Sequence, residues 1–338
     1  MTRRWMVPLI LVVFVVISIG FAFKFIKRDK KPKIVVVLQE LNTDHSKIVK
    51  AGIEKGFVDF DIDGKVIAPD SKYSASNQVT MLKEVLKQKP DALIVTPTQS
   101  SAAIPVFKEF QKKNIPVIML NQDAQWENQT TFVGTDPLRL GKLAGELLSS
   151  LTQPGDQVAF IFETKDNFVE NDQIKTAKEV LESVGVKVVM EQQGHEEFGN
   201  MKSGMSNILH NYPDIKGVFA TNDSIALNAL KVIEEKELKI PIIGTEGVGE
   251  MLKAIDEKRL DVTLSQNPYD TGYLSVDIAL KVIKGEYIEK RIDGGVDIIT
   301  KDNAKSRIDF YKKEVFNKIY QVKIGYFIGR WSELVRKL

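Results

Sequence analysis

Polar side chains follow almost every apolar, strand-like run of this sequence, and they are the residues best suited to chemistry. They are carboxamides, carboxylates and hydroxyls. They lie in the segments Gln39–His45, Thr96–Thr98, Asn121–Asp123, Glu163–Asp166, Thr221–Asp223, Thr245–Gly247 and Gln266–Asn267. Each one alone more often serves as a turn residue or helix N-cap. Together they predict a crevice suited to a ligand rich in hydroxyl groups, because each hydroxyl both donates and accepts hydrogen bonds.

Patterns typical of catalysis are weak. The three histidines are too scattered in the sequence for an obvious zinc site. No G-x-S-x-G elbow is present, and Gly141-Lys142-Leu143 lacks the spacing and the Ser/Thr of a phosphate-binding loop. Glu163 and Asp166 resemble a hydrolase pair, but carboxylates at strand ends more often cap helices or contact ligands. We therefore expect no catalytic residue, metal site or cofactor, and keep an enzyme as a distant alternative.

Alternating strands and helices must position these side chains. The first run, Ile34–Leu38, is continuously apolar, as are strands buried on both faces of a parallel sheet. A helical pattern follows over 46–60. Further strands are predicted at Lys65–Ala68, Asp91–Val95, Val117–Leu120, Val158–Phe162, Val186–Met190, Gly217–Ala220, Pro241–Gly244 and Val262–Ser265. The alternation predicts an α/β fold with parallel sheets, and the length favours two doubly wound lobes. Ligands of such sheets bind outside the carboxyl ends of the strands.

Composition narrows the possible partners. The chain has 338 residues, a net charge of +2 and no cysteine. Charges of both signs are mixed along the body, and no basic block with interleaved aromatics indicates nucleic acid. Without cysteine, disulfides, thiolate catalysis and thiolate metal sites are excluded.

The N-terminus carries an uncharged, mostly apolar segment, Met6–Phe23, after Arg3 and Arg4. It is long enough to cross a bilayer core at the short end of the usual range. A cleaved secretory signal is the alternative, but Ser18–Gly20 and Gly20–Ala22 are poor cleavage sites and no cysteine could take a lipid. More Lys and Arg follow the segment than precede it, which alone would favour a cytoplasmic body; long domains, however, translocate largely regardless of charge.

Several motifs together resemble the periplasmic sugar-binding proteins of the ribose- and galactose-binding type, whose fold is shared with the effector domains of LacI-type repressors. The resemblance covers about Lys33 to Lys301. The motifs are Leu41-Asn42, Ile115-Pro116-Val117-Ile118, Gly134-Thr135-Asp136, Gly141-Lys142-Leu143-Ala144-Gly145, Gly217-Val218-Phe219-Ala220-Thr221-Asn222-Asp223 with Ala226-Leu227, and Gln266 before Tyr269.

The resemblance implies the type I periplasmic binding protein fold, with two α/β lobes joined by three crossings and a sugar clamped between them. The crossings are expected near Gly134–Pro137, near Gln266 and near Val296–Thr300. The implied divisions are 1–32 for the anchor or signal and its basic linker, 33–134 plus 267–296 for the N-terminal lobe, 137–264 plus 298–315 for the C-terminal lobe, and 316–338 for a C-terminal extension.

In ribose-binding members the loop after strand one supplies polar contacts and two phenylalanines that sandwich the sugar. The matching polar positions hold Gln39 and Thr43, with Asn42 adjacent. The aromatic positions hold His45 and Ser46, so only partial stacking by His45 is expected from the first lobe.

Both arginines of the family's sugar site are replaced. The Asp-Arg pair after the fourth strand becomes Asn121-Gln122, and the arginine before the next helix of the second lobe becomes Gln173. Arginine makes forked, charge-assisted hydrogen bonds that glutamine cannot reproduce. We therefore expect a less basic site that does not bind ribose in the family's way; a ligand with several hydroxyls, and an amino group facing Glu246 or Asp44, fits better.

At the remaining positions of the family's sugar site, this sequence is closer to the family pattern. Phe198 occupies the position of a ring-stacking aromatic, Asn222 and Gln266 match sugar-binding residues, and Glu246 replaces an aspartate with one more methylene.

The resemblance implies a binding protein on the extracytoplasmic face of a bacterial membrane, held there by the N-terminal helix or released if that helix is cleaved. It would deliver sugar to an ABC transporter permease or, alternatively, signal to a membrane histidine kinase or chemoreceptor. A LacI-like regulator is a distant alternative, because the apolar segment stands where a DNA-binding domain would be. The aromatic and basic tail, Phe310 to Leu338, either packs on its own lobe or meets a partner.

Overall fold

A computed structural model describes residues 30–70, 74–163, 168–194 and 201–316. The apolar segment Met6–Phe23, Phe198 and the tail after 316 lie outside the described residues, so the predictions made for them stay predictions. Within these ranges, no helix combines the length and the apolar character needed to cross a membrane.

The first lobe is built on a six-stranded sheet in which all neighbouring strands run parallel. Its strands are β1 (Lys33–Val37), β2 (Asp63–Ile67), β3 (Ala92–Val95), β4 (Val117–Leu120), β5 (Thr131–Gly134) and β11 (Arg291–Asp293). The spatial order is β2-β1-β3-β4-β5-β11. β3, β4 and β5 are buried along their whole length, as expected for apolar strands covered on both faces.

The second lobe repeats this order in its own sheet. Its parallel strands are β6 (Gln157–Phe162), β7 (Lys187–Gln193), β8 (Gly217–Ala220) and β9 (Ile242–Ile243), in the order β7-β6-β8-β9. An antiparallel pair, β10 (Val262–Ser265) and β12 (Asp297–Thr300), extends the lobe beyond β9. The backbone N–H of Leu264 donates to the carbonyl of Gly244 at 3.1 Å and joins this pair to the sheet.

Helices cover both faces of each sheet. They are α1 (Asp44–Asp59), α2 (Ala75–Lys87), α3 (Ser100–Lys112), α4 (Pro137–Ser150), α5 (Phe168–Ser183), α6 (Met201–Asn211), α7 (Asp223–Glu235), α8 (Gly249–Asp256), α9 (Pro268–Ile283) and α10 (Lys301–Tyr311), with a π-helical turn at Lys312–Phe316. In the first lobe α1 and α9 cover one face, and α2 and α3 the other. In the second lobe α4 and α5 lie opposite α6, α7, α8 and α10.

The chain passes between the two lobes three times, after β5, after β10 and after β11. The first and third passages lie side by side: Gly294 N donates to Gly134 O at 3.0 Å, and Thr135 Oγ1 donates to Gly295 O at 3.3 Å. The third passage comes slightly earlier than Val296–Thr300, because Asp297–Thr300 already forms strand β12.

The structure confirms a parallel α/β fold and places a strand at every predicted run, with β9 shortened to two residues. It adds three short strands that the sequence pattern did not predict: β5, β11 and β12. β11 has three residues, of which two are exposed, so it carries no apolar run that could mark it. It forms by pairing with β5, far away in the sequence.

Candidate functional site

The first-lobe loops that follow β1 and β3 are tied together at the carboxyl ends of these strands. Gln39 Nε2 donates to the carbonyl of Pro97 at 2.9 Å. Because β1 and β3 are parallel neighbours, both loops leave the sheet at the same edge. The structure therefore brings Gln39 to the edge where ligands of parallel sheets bind.

The side chain of Gln78, in α2, forms hydrogen bonds with both of these loops. The sequence analysis did not predict this role. Its side chain is almost completely buried, at 1% exposure. Its Nε2 donates to Thr96 O at 2.9 Å and to Leu38 O at 3.4 Å, while its Oε1 accepts from Thr98 N at 2.8 Å. One neutral amide thus holds both loops. The sequence feature that could have indicated this role is a polar residue on the apolar face of an amphipathic helix.

The loop after β1 leads directly into α1. Thr43 is the N-cap of this helix, and its hydroxyl accepts from Ser46 N at 3.3 Å and donates to Ser46 Oγ at 3.0 Å. Asn42 is exposed and His45 half-buried beside it. Thr43 therefore has a definite capping role, Asn42 lies in the loop before it, and His45 lies in the first turn of α1.

The two amides after β4 differ from their neighbour Asp123. Asn121 has a left-handed backbone, φ 59°, which lets the chain turn directly after the strand, and Gln122 follows it. Asp123 is buried, accepts from Gln125 N at 2.8 Å and pairs with Arg291 of β11. Asp123 therefore fastens the edge of the sheet, and Asn121 and Gln122 are left at the strand end.

In the second lobe, Asn222 and Glu246 are joined through Asp223. Asn222 is the N-cap of α7, and its Oδ1 accepts from Ile225 N at 2.9 Å. Asp223 accepts from the backbone N–H groups of Glu246 at 3.1 Å and Val248 at 2.9 Å. In return, Glu246 Oε2 accepts from Asp223 N at 3.2 Å. The loops after β8 and β9 are thus clamped together at the strand edge.

Asp223 is the strongly perturbed acid of this clamp. Burial of its side chain, 3% exposed, and the negative charge of Glu246 raise the pKa of the Asp223 carboxyl to about 8, although the backbone N–H groups of Val248, Glu246 and Gly247 oppose the rise. The second-lobe clamp therefore gains a charge within the neutral to mildly alkaline range.

Glu170 of α5 is a second buried carboxyl at this edge that sequence analysis did not select. Its Oε1 accepts from Thr221 Oγ1 at 2.6 Å and from Glu163 N at 3.2 Å. Gln173, one turn later, lies at 3% exposure against the backbone of Gly141 in α4, and its Oε1 has no hydrogen-bond partner among the described residues. The sequence feature that could have identified Glu170 is an acidic residue in the first turn of the helix that follows a strand.

Gln266 lies in the second passage between the lobes, directly after β10, and is half-buried. Its carbonyl accepts from Thr271 Oγ1 at 3.2 Å. Phe198 lies outside the described residues. Across the described ranges, no three His, Asp or Glu side chains come together as a metal site would require.

The strand-end loops of the two lobes meet each other. A Cβ placed on Gly249, at the end of the loop that contains Glu246, would lie 2.5 Å from Asp44 Oδ2, which directly follows Thr43. The loops that carry Thr43 and Glu246 therefore approach each other from the two lobes. Amide, hydroxyl and carboxylate side chains of such loops can bind hydroxyl groups by donating and accepting hydrogen bonds.

The sequence is similar to that of known binding proteins. The family described as periplasmic binding protein domain matches residues 34–287. The ribose import binding protein of Bacillus subtilis is 26% identical over 271 residues, covering 80% of this chain and 88% of that protein. A D-ribose/D-allose-binding protein of Pseudomonas aeruginosa is 26% identical over 284 residues, covering 79% and 87%.

Solved structures share the fold. An ABC transporter periplasmic solute binding protein from Actinobacillus succinogenes with bound D-allose superposes with a TM-score of 0.76 at 25% identity, covering 82% of this chain and 100% of that one. A glucose-galactose binding protein from Geobacillus stearothermophilus gives a TM-score of 0.75 at 23% identity, covering 81% and 99%.

Proposed function

This chain belongs to the family of periplasmic binding protein domains, and we propose that it binds a monosaccharide or a related polyol between its lobes. The observation that carries the proposal is the meeting of the two strand-end loops at Asp44 and Gly249. Because these loops carry the candidate residues, a small ligand held there contacts both lobes at once.

The polar groups of the cleft suit hydroxyls. Asn222 uses Oδ1 to cap α7, which leaves its amide Nδ2 as a donor toward a ligand. Glu246 supplies a carboxylate acceptor, while Asn121 and Gln266 supply amides that donate and accept. Phe198 is proposed to stack on the sugar ring. With Gln122 and Gln173 where ribose-binding members carry arginine, ribose is expected to bind more weakly than a hexose or an amino-substituted polyol.

The proposed role is presentation of the closed form to an ABC permease on the extracytoplasmic side. The lobes, 33–134 plus 267–296 and 137–264 plus 298–315, would rotate about the three passages as periplasmic binding proteins do. A ligand that contacts both lobes only when they are closed favours closure by that difference in affinity. The proposal includes no catalytic step.

Calorimetric titration of the full chain in detergent tests the proposal, with D-ribose, D-allose, D-galactose, D-arabinose and myo-inositol as ligands. At least one is expected to bind. Asn222→Ala and Gln266→Ala should each weaken that binding by about ten- to a hundredfold, because each leaves a ligand hydroxyl unpaired.

Asn211→Ala is the matched control, because Asn211 is exposed at the end of α6, away from the strand-end loops. It should leave the affinity unchanged. Unaltered affinity in both site variants would place the site elsewhere, and nanomolar ribose binding would contradict the expected selectivity.

A further inference from the structure

Helix α1 has two buried faces, and only one of them serves its own lobe. Val49, Ile53 and Phe57 pack in the first-lobe core against α9. Ile48 instead belongs to the core of the second lobe, together with Tyr311 and Val315. Asp44 lies one turn before Ile48, so these two side chains share a face of the helix. This second face is directed at the other lobe.

Ile48 is fully buried, at 0% exposure. The helix that carries it contacts the π-helical turn Lys312–Phe316, which follows the third passage between the lobes. At Gly52 the same helix packs tightly against the carbonyl of Tyr269, just after the second passage. This half of α1 therefore lies beside the passages themselves, where a rotation of the lobes produces little displacement.

Asp44 lies farther from the passages. Eight residues separate it from Gly52, which in an α-helix is about 12 Å along the axis. A rotation about the passages therefore moves Asp44 more than it moves Gly52. A contact made by Asp44 with the second lobe is therefore displaced more than the contact at Gly52 when the lobes separate.

Asp44 lies beside the N-terminus of α8. That helix begins at Gly249, and its N-cap, Val248, has no side chain that bonds the first-turn N–H groups. Asp44 Oδ2 lies so close to Gly249 that a Cβ there would come within 2.5 Å of it. The other oxygen, Oδ1, pairs with Lys47 Nζ at 3.1 Å. The first lobe thus places a carboxylate beside a helix N-terminus of the second lobe at which Asp223 bonds only the N–H of the N-cap, Val248.

A negative charge at the N-terminus of a helix is stabilised by the helix dipole and by first-turn N–H groups that have no partner within the helix. We propose that Asp44 is an inter-lobe latch: its carboxylate stabilises α8 only while the lobes are closed, and Ile48 forms the pivot beside the passages. The latch adds to the closed population independently of which sugar is bound.

Gly249 is the complementary half of the latch. Its φ of +49° lies in the left-handed region, and the space where a side chain would begin is occupied by Asp44. Glycine therefore suits this position because of its backbone conformation, and a side chain here would have to displace the carboxylate of Asp44.

Pulsed EPR between two nitroxide labels tests the latch. The chain has no cysteine, so Gln99→Cys in the first lobe and Asn171→Cys in the second give a single labelled pair. In ligand-free full-length protein, Asp44→Ala should raise the ratio of long to short distances by about two- to fivefold, as expected for loss of one helix-terminus charge. Hydrogen exchange of the first-turn amides of α8 should accelerate by a similar factor.

Asp302→Ala is the matched control, because Asp302 is an exposed first-turn acid of α10. It should change neither measurement. In the double variant, the effect of Gly249→Ala on the distance ratio should be smaller with Asp44→Ala than without it, because the clash is gone.

Identical distance ratios and α8 exchange in Asp44→Ala and the parent would overturn the latch, as would a parent with no short-distance population. Neither measurement uses a sugar, so failure of the latch and failure of the sugar-binding proposal are separate results.

Discussion

The strand-end loops of the two lobes are held by the same device with different chemistry. In the first lobe a neutral amide, Gln78, bonds the loops after β1 and β3. In the second lobe a carboxyl, Asp223, bonds the loop after β9 through the N–H groups of Glu246 and Val248. Both side chains are buried. Only the second clamp can gain or lose a proton, so the two walls of the cleft should respond differently to pH.

The difference shows that a buried side chain can hold a loop in place without placing an ionisable group at the site. An amide offers one donor group and one acceptor, which suits a loop that presents both carbonyl and N–H groups. A carboxylate accepts only, which suits successive N–H groups but must overcome burial, and its pKa rises as a result.

The largest effect is expected from removing the clamps. Asp223→Ala leaves two buried N–H groups without their acceptor and should lower the free energy of unfolding by about 2–4 kcal/mol at pH 6. Gln78→Ala should cost about 1–3 kcal/mol by the same reasoning. Urea denaturation of both variants measures the loss, with Asp302→Ala as an exposed control. A loss below that of the control would show that the clamp does not hold its loop.

Moving the charge to the first lobe is the next test. Gln78→Glu replaces the Nε2 donor to Thr96 O and Leu38 O with an oxygen. The ionised carboxylate would face two carbonyls in a buried site, so we expect a loss of about 2–3 kcal/mol at pH 8 and a smaller loss at pH 5, where the acid can protonate. Denaturation at both pH values checks this, and an equal loss at both would contradict it.

The raised pKa of Asp223 makes a contribution of known sign to the pH dependence of stability. An unfolded aspartate has a pKa near 3.9, while that of folded Asp223 is about 8. Below about pH 4 both states are protonated. Between about pH 4 and pH 8 only the unfolded state loses the proton, so the contribution of Asp223 to stability falls as pH rises, by up to about 1.4 kcal/mol per pH unit. Above about pH 8 this loss is complete.

Asp223→Asn should remove that contribution. The stability difference between parent and variant should therefore shrink steadily from pH 5 to pH 8 in thermal unfolding. If the stabilities of parent and variant changed in parallel with pH, Asp223 would not titrate between pH 5 and pH 8. Gln78→Asn, which carries no titratable group, serves as the first-lobe control.

The smallest effect concerns two threonines at the strand ends. Thr245 Oγ1 donates to Thr221 O at 2.6 Å in the second lobe, and Thr96 Oγ1 in the first lobe is buried with no hydrogen-bond partner in the described part of the chain. Thr245→Val should cost about 1 kcal/mol, and Thr96→Val close to nothing. If the two variants lost equal free energies of unfolding in urea denaturation, the two threonines would not differ in this way.

Much of the fold was predictable because local patterns produced it. The apolar run at Ile34–Leu38 became β1, and Asn222 stands at a strand end as expected. β11 was not predictable, since its pairing with β5 depends on a strand far away in the sequence. For the site, residue type indicated which side chains reach the strand edge, but not that Gln78 supports two loops or that Glu170 bonds Thr221.

The sequence by itself determined the alternation of strands and helices, the parallel sheets and the polar residues at their carboxyl ends, because hydrophobic periodicity and turn chemistry act over short stretches of chain. Only the tertiary structure decided that Asp223 would be buried as a clamp, that Gln173 would lie against α4, and that Asp44 would meet Gly249. The first two outcomes depend on packing within the second lobe and the third on packing between the lobes, and no local sequence pattern specifies which distant residues such packing brings together.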